Sequence, residues 1–306
     1  MTFNTKTVFR GGVACAALLT ALSAQAVTVA QTGNTTVKIG GYVKLDAMWS
    51  DWSGGIPAAG VARDFYIPGT TTIGDSSNDN TVFDMHVKQS RINFGTETKM
   101  DGHTLKSFFE LDFQLSGQGD ERISNSYSPR LRHAFLSYDN WLFGQTWTTF
   151  MNVGALPESV DFIGNTDATI FVRQPMIRYT RGPWQFALEN PETTVTVSGS
   201  RVVGDQNELP DFVGRYNLKN KDLTLVFAGL LRQLTYNDSA TINDTEIGWG
   251  ISVTGKYVLG NKDDLRFGVN AGGGLGRYIG LNTANGAILD ANGNLETIDS
   301  VGLFGS

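Results

Sequence analysis

The sequence predicts an all-β fold, a transmembrane antiparallel β-barrel. Three observations predict it. Apolar and polar residues alternate in segment after segment from Val37 onward, the period of a strand with two unlike faces. Short turns alternate with long polar loops along the whole chain, as they do where turns gather on one rim of a barrel and loops on the other. The polar alternate positions are charged, which suits a face that meets water while the opposite face meets oil.

The chain opens with Lys6 and Arg10, the apolar run "GGVACAALLTAL" at 11–22, and Ala24-Gln25-Ala26. A basic start, a short apolar stretch and an A-x-A site predict a cleaved export leader over residues 1–26, with the barrel domain over 27–306. The only cysteine, Cys15, lies in that leader, so the exported chain needs no disulfide. After residue 26 no run of about 18 apolar residues occurs, which excludes a spanning helix but not spanning strands. Of 24 Lys and Arg, removal of Lys6 and Arg10 leaves 22 against 30 acids, a net charge of −8. That argues against nucleic acid as a partner.

The strands follow in order. In "VKIGGYVKLDAMW" (37–49), Val37, Ile39, Val43, Leu45, Ala47 and Trp49 share a face. Segments 86–99 and 104–115 form a hairpin around Asp101-Gly102, a tight-turn pair. Ile92, Phe94, Leu105, Phe109, Leu111 and Phe113 take one face; Arg91, Asn93, Glu97, Lys106, Glu110 and Asp112 take the other. Hairpins are expected for 130–139 with 141–150, 173–181 with 184–190, 211–218 with 222–232, and 246–259 with 264–279, before a strand opening at 298–304. The long loops fall at 50–85, 116–129, 151–172, 191–210, 233–245 and 280–297. Trp49, Trp141, Tyr179, Trp184 and Tyr216 stand near strand ends, where interfacial aromatic girdles sit. Eleven strands and the opening of a twelfth are present. Single-chain barrels close with an even number, so the chain is expected to stop short of its last few strands.

Strand parity places ten basic residues on the lumen face: Lys44, Arg91, Lys106, Arg130, Arg132, Arg178, Arg215, Arg232, Lys256 and Arg266. Six acids share it: Asp46, Glu97, Glu110, Asp112, Glu189 and Asp211. The wall is therefore richer in positive charge than the chain as a whole. A guanidinium stays charged and grips a carboxylate at two points; several weak sites in series let an anion enter and leave. The alternative is that these arginines only pair with lumen acids and brace the wall. Arg91, Arg132, Arg178 and Arg215, with Arg130 and with Arg173 where the third long loop rejoins the sheet, are the candidates for contact with solute. That loop, "MNVGALPESVDFIGNTDATIFV" (151–172), is too apolar for a solvated loop. It is expected to fold inward and narrow the lumen, with Glu158, Asp161 and Asp167 facing the arginines. The alternatives are packing over the rim or at a contact between copies.

Catalysis finds no support. His86, His103 and His133 have no partnered Ser or Cys; His103 is in a turn and His133 shares parity with the apolar residues of its strand. "GGGLG" (272–276) precedes no helix, so it is not a phosphate loop. No cofactor or metal is expected.

"VKIGGYVKLDA" (37–47), "SRINFGTET" (90–98), "RLRHAFLSY" (130–138), "GQTWTTF" (144–150), "RQPMIRYTR" (173–181) and "ALENP" (187–191) together resemble the DcaP-like porins of Gram-negative bacteria. The resemblance spans the mature chain and implies a trimeric, sixteen-stranded outer-membrane porin with an inward third loop. It implies passive uptake of small anions, dicarboxylates among them. A helical extension that some members carry before the barrel has no counterpart in residues 27–36. Two other readings compete: a structural or adhesive barrel with a plugged lumen, presenting loops 50–85 and 191–210, and an outer-membrane hydrolase.

Overall fold

In the computed structural model, residues 24–66, 71–74, 80–114, 122–164, 167–204, 206–260 and 263–306 are described. Nearly all of them are in strands or in the connections between strands. The expected leader lies mostly outside them.

The chain begins with β1 (Ala24–Thr32), β2 (Thr35–Tyr42), β3 (Asp46–Trp52), β4 (Asn80–His86), β5 (Arg91–Met100) and β6 (His103–Asp112). It continues through β7 (Arg130–Tyr138), β8 (Trp141–Trp147), β9 (Arg173–Arg181), β10 (Trp184–Glu189), β11 (Thr193–Val197) and β12 (Ser200–Gly204). Then come β13 (Asp211–Lys219), β14 (Leu223–Asn237), β15 (Asn243–Gly260), β16 (Asp263–Gly273), β17 (Ala287–Leu289), β18 (Leu295–Thr297) and β19 (Asp299–Gly305). Thirteen of these form one antiparallel sheet in the order β1-β2-β5-β6-β7-β8-β9-β10-β13-β14-β15-β16-β19. Its edges are β1 and β19, which run the same way because thirteen alternating strands separate like from like. The other six make a β3-β4 hairpin and a small sheet, β12-β11-β17-β18, inside the long connections.

Four expectations are corrected. The main sheet holds one strand beyond the twelve segments read from the sequence, because β1 starts at Ala24, within the expected leader. The expected strand 37–49 is two: Gly41, at φ 140°, lets the backbone pass where a Cβ would stand 2.2 Å from the carbonyl of Arg91, and the chain then leaves the main sheet. The expected strand 264–279 ends at Gly273, after which the chain turns into the lumen. Loops 191–210 and 280–297 are not simply polar loops: they pair with each other, Val195 with Ala287 and Thr196 with Ile288.

The outer face is the apolar face. Phe94 pairs with both Ile39 and Phe109 across β2, β5 and β6, and all three side chains are exposed. The same face continues through Leu136, Phe143, Ile177, Phe186, Phe212, Phe227, Ile251 and Val269 to Leu303. Neighbouring strands pair their backbones along continuous ladders, broken only by register shifts in β1-β2, β6-β7 and β15-β16, and such pairing is what a hydrocarbon surrounding demands. At the short-turn rim Trp141 packs on Tyr179 at 4.7 Å and Trp184 on Tyr216 at 4.6 Å between ring centroids. Trp49 stands apart from these, on β3 against Phe83.

The buried apolar core is on the other face, inside the curve of the sheet. Phe150, Met151, Ile170, Leu275, Tyr278 and Ile279 come from the long connections and pack on Ala187, Val213, Ala228 and Leu230. One side of the lumen, over β10, β13 and β14, is therefore filled with protein.

Placing a cation on the oil-facing side tests this orientation. Phe109→Arg should lower folding stability in bilayers by about 2–4 kcal/mol, read from denaturant titration; a change within error would mean that face does not meet lipid.

Candidate functional site

A buried polar knot fixes the filled side. Glu189, at the end of β10, accepts hydrogen bonds from Thr148 Oγ1 at 2.6 Å, from Thr149 N at 2.7 Å and from the amide of Gln174. Gln174 also donates to Tyr278 Oη at 2.7 Å, and that hydroxyl donates to Asp211 Oδ2 at 2.9 Å. Burial and the two neighbouring carboxylates hold the Tyr278 phenol well above its ordinary value, so it remains a donor. Arg232 closes the knot from β14. It donates to the carbonyls of Gly274 and Leu275, each at 3.2 Å, and to that of Glu192, and its guanidinium sits 5.3 Å from the Tyr278 ring. The knot ties segments 148–150 and 274–278 to the wall.

The loop 151–172 turns inward and is pinned to the same side. Arg215 donates to the carbonyl of Met151 at 2.7 Å. Arg266 donates to the carbonyl of Leu156 and to Glu158 Oε1, both at 2.7 Å. Asn270 donates to the carbonyl of Ala168 at 2.7 Å. Between these pins the loop reaches across to the opposite wall.

That opposite wall is β5, β6 and β7. Arg130 grips Asp112 at two points, 2.8 and 2.7 Å. Arg132 bridges Glu110 at 2.7 Å and Asp112 at 2.8 Å, and is 3% exposed. Arg91 lies 3.8 Å from Glu110 and 5.3 Å from the Tyr42 ring. The ring of Phe162, from the inward loop, stands 5.8, 5.8 and 5.7 Å from the guanidiniums of Arg91, Arg130 and Arg132. Arg173, at the start of β9, stacks 4.3 Å over Trp147, and its buried Nη1 has no hydrogen-bond partner among the described residues. A cavity of about 400 Å³ joins Arg173 to Arg130, with Trp147, Phe162, Phe171 and Leu281 in its walls.

A local irregularity builds this wall. The β7-β8 ladder stops at Ala134↔Gln145, and the β6-β7 register shifts between Glu110 and Leu111. The shift is a bulge that gives β7 one extra residue. It leaves Arg132 as the extra residue between Leu131 and His133, the latter opposite Glu110, and both Arg132 and His133 are buried. The expectation that His133 shares the apolar parity is corrected for that reason: its Nδ1 lies 3.0 Å from Thr146 Oγ1 and its ring 5.8 Å from Trp147. Gln145 reaches across the unpaired stretch to the carbonyl of Leu131 at 3.2 Å.

The six arginines singled out by sequence thus divide. Arg91, Arg130, Arg132 and Arg173 come together. Arg178 and Arg215 stand apart on β9 and β13, either side of β10. Arg178 has no ion pair or hydrogen bond with another described residue, whereas Arg215 is spent on Met151 and Asn217. The three loop acids also divide. Glu158 turns back to Arg266. Asp161 accepts from Gly164 N at 3.2 Å, and burial pushes its carboxyl up from the ordinary value of 3.8 despite bonds from Gly164, Phe162 and Ile163 and the nearness of Lys44. Asp167 is exposed beside Gly280. Phe162, Tyr278 and Asp264 were not among the candidates. Asp264 pairs with Arg266 and with Lys256, at 2.7 and 2.6 Å. Its two-residue spacing from Arg266 was the available signal. Among the described residues no three His, Cys, Asp or Glu side chains gather as a metal site, and no helix is long and apolar enough to cross a membrane.

The family model of the DcaP outer membrane protein matches residues 20–304. The chain belongs to the DcaP outer membrane protein family. Its place is the outer membrane, and its sheet is of the porin type. The crystal structure of the outer membrane channel DcaP of Acinetobacter baumannii is similar, with a TM-score of 0.68, 21% identity, and coverage of 89% of this chain and 74% of that one. Two further structures are more distant. They are OmpT of Vibrio cholerae with its loop L8 deleted (TM-score 0.38, 11% identity, 79% and 82% covered) and an anion-selective porin from Comamonas acidovorans (0.35, 11%, 78% and 79%). No curated protein matches the chain.

Within this DcaP-family wall, Arg132 is the buried guanidinium that bridges two carboxylates, so removing it leaves Asp112 to Arg130 alone and Glu110 to the more distant Arg91. Arg132→Gln should cost on the order of 3 kcal/mol of stability, while Arg178→Gln should stay within about 0.5 kcal/mol. Equal unfolding midpoints for the two variants would refute this distinction.

Proposed function

We propose that this protein is a passive channel for small anionic solutes, dicarboxylates among them, which pass along the β5–β7 side of the lumen. One observation carries the reading: four guanidiniums, Arg91, Arg130, Arg132 and Arg173, surround only two carboxylates, Glu110 and Asp112. Those two acids neutralise half of the charge and fix the arginine geometry. The remainder attracts anions electrostatically, and the buried Nη1 of Arg173, which donates to none of the described residues, supports the reading. Binding distributed over several arginines is tight enough to recruit a carboxylate and loose enough to release it. Arg178 and Arg215 extend positive charge along the wall past the loop. No covalent step and no cofactor enters. The apolar outer face serves lipid and, in a homotrimer, neighbouring copies.

A second reading rests on the apolar core that fills one side of the lumen. A barrel with such a plug could serve as a structural or adhesive element. Planar-bilayer recording separates the two: steady current with a reversal potential favouring chloride supports the channel, whereas silence supports the plug and a cation-favouring potential refutes the anion assignment. Arg130→Gln with Arg132→Gln should reduce anion preference several-fold.

Acidification carries a further expectation. The raised Asp161 carboxyl takes up its proton above 3.8 as pH falls, and the loop then loses negative charge. Chloride preference in a KCl gradient should rise as pH falls towards that value, and Asp161→Asn should show the higher preference already at neutral pH. A pH profile unaltered by Asp161→Asn would exclude this role.

A further inference from the structure

The inward loop is tethered at both ends to one wall and touches the other with a ring. Its pins, Arg266 at Leu156 and Glu158 and Asn270 at Ala168, lie on β16. From 159 to 164 its hydrogen bonds are local: Asp161 N to Ser159 Oγ at 3.1 Å, and Gly164 N to Asp161 Oδ2. Phe162 projects from this span, and Phe65, from the 50–85 connection, and Leu281, from the 280–297 connection, belong to the same apolar cluster.

What Phe162 meets is unusual for an apolar ring. Three guanidiniums lie within 5.8 Å of its centroid. The carboxylates Glu110 and Asp112 reach Arg130 and Arg132 from within the wall, on β6. Phe162 arrives from the lumen, since its loop crosses it. The ring therefore covers the arginines on the side from which a solute approaches, and each cation–π contact adds to its hold.

We propose that Phe162 is a specificity-determining shutter: its ring competes with solute carboxylates for Arg91, Arg130 and Arg132, and a solute engages them by displacing it. This rests on the anion-channel reading above. A monovalent anion that makes one contact displaces the ring poorly; an anion with two carboxylates recovers more by doing so. The shutter thus weights the channel towards solutes that can bridge two arginines. Because the covering is cation–π, bulk alone does not reproduce it.

The test uses the full chain in planar bilayers, with succinate as the probe and its half-blocking concentration of chloride current as the readout. Phe162→Leu keeps most of the bulk and loses the π face; it should lower the succinate half-block roughly threefold, the worth of about one exposed cation–π contact. Phe162→Tyr keeps the ring and should match the wild type, which also shows that substitution at this position permits folding. If Phe162→Leu leaves the half-block unchanged, or raises it, the shutter is refuted while the channel stands. Were Phe162→Ala to increase conductance with the succinate half-block unaltered, the ring would be a steric constriction only, and the proposal would fall. A cation-selective wild type would overturn both.

Discussion

Every feature of this molecule follows from one constraint: within a hydrocarbon layer, a strand must pair its backbone on both sides and may show only apolar side chains outward. With a side-chain period of two, half of each spanning segment is committed to lipid, and all charge is driven to the inner face. Ile39, Phe94 and Phe109 form the first face; Arg91, Glu97, Glu110 and Asp112 the second. The short-turn aromatics, Trp141 on Tyr179 and Trp184 on Tyr216, mark where the constraint ends.

The inner face then has two duties, and its arginines are divided between them. Arg215, Arg232 and Arg266 spend their N–H groups on backbone carbonyls of the inward segments. A planar fork with several fixed donors suits that duty, since carbonyls in irregular chain would otherwise be buried without partners. Arg91, Arg130 and Arg132 spend theirs on side chains of the wall itself. The two sets occupy opposite sides, so the same residue type braces the filled side and lines the open one.

The strands were legible because their signal is periodic and local. Twelve of the thirteen in the main sheet follow from alternation and turn residues; Asp101-Gly102 and Asp139-Asn140 both close short turns, with Asp101 and Asp139 at positive φ. β1 was not legible: it overlaps a leader-like cleavage signal, and one stretch of sequence carried two meanings. His133 was misplaced because parity assumes an unbroken ladder and a bulge adds one residue without a mark in the sequence. Tyr278 was read as strand because Gly274 and Gly276, which take φ of 75° and 46° and turn the chain inward, sit in a glycine-rich run that also fits a strand. The division of the arginines was beyond the sequence altogether, since it depends on which side the loops choose.

That choice is itself explained by packing. The wall positions on β10, β13, β14 and β15 that face the lumen include Ala187, Val213, Ala228, Leu230 and Gly250, which are small or apolar; a Cβ on Gly250 would stand 2.6 Å from Leu275 and 3.0 Å from Phe150. Loops bearing Phe150, Met151 and Leu275 bury apolar surface there, in the larger of the apolar clusters on the inner face. Once they settle on that side, the span 159–164 has only the arginine wall to meet, and an apolar residue at its tip can approach it without a desolvation penalty of its own charge. A carboxylate at the position of Phe162 would be held by three guanidiniums and would close the path to any other anion. A phenyl ring, attracted weakly by each, leaves the positive charge in place and can give way to a carboxylate. The ring on the loop and the arginines on the wall are therefore a matched pair, and the small residues at the far side of the lumen are what bring them together.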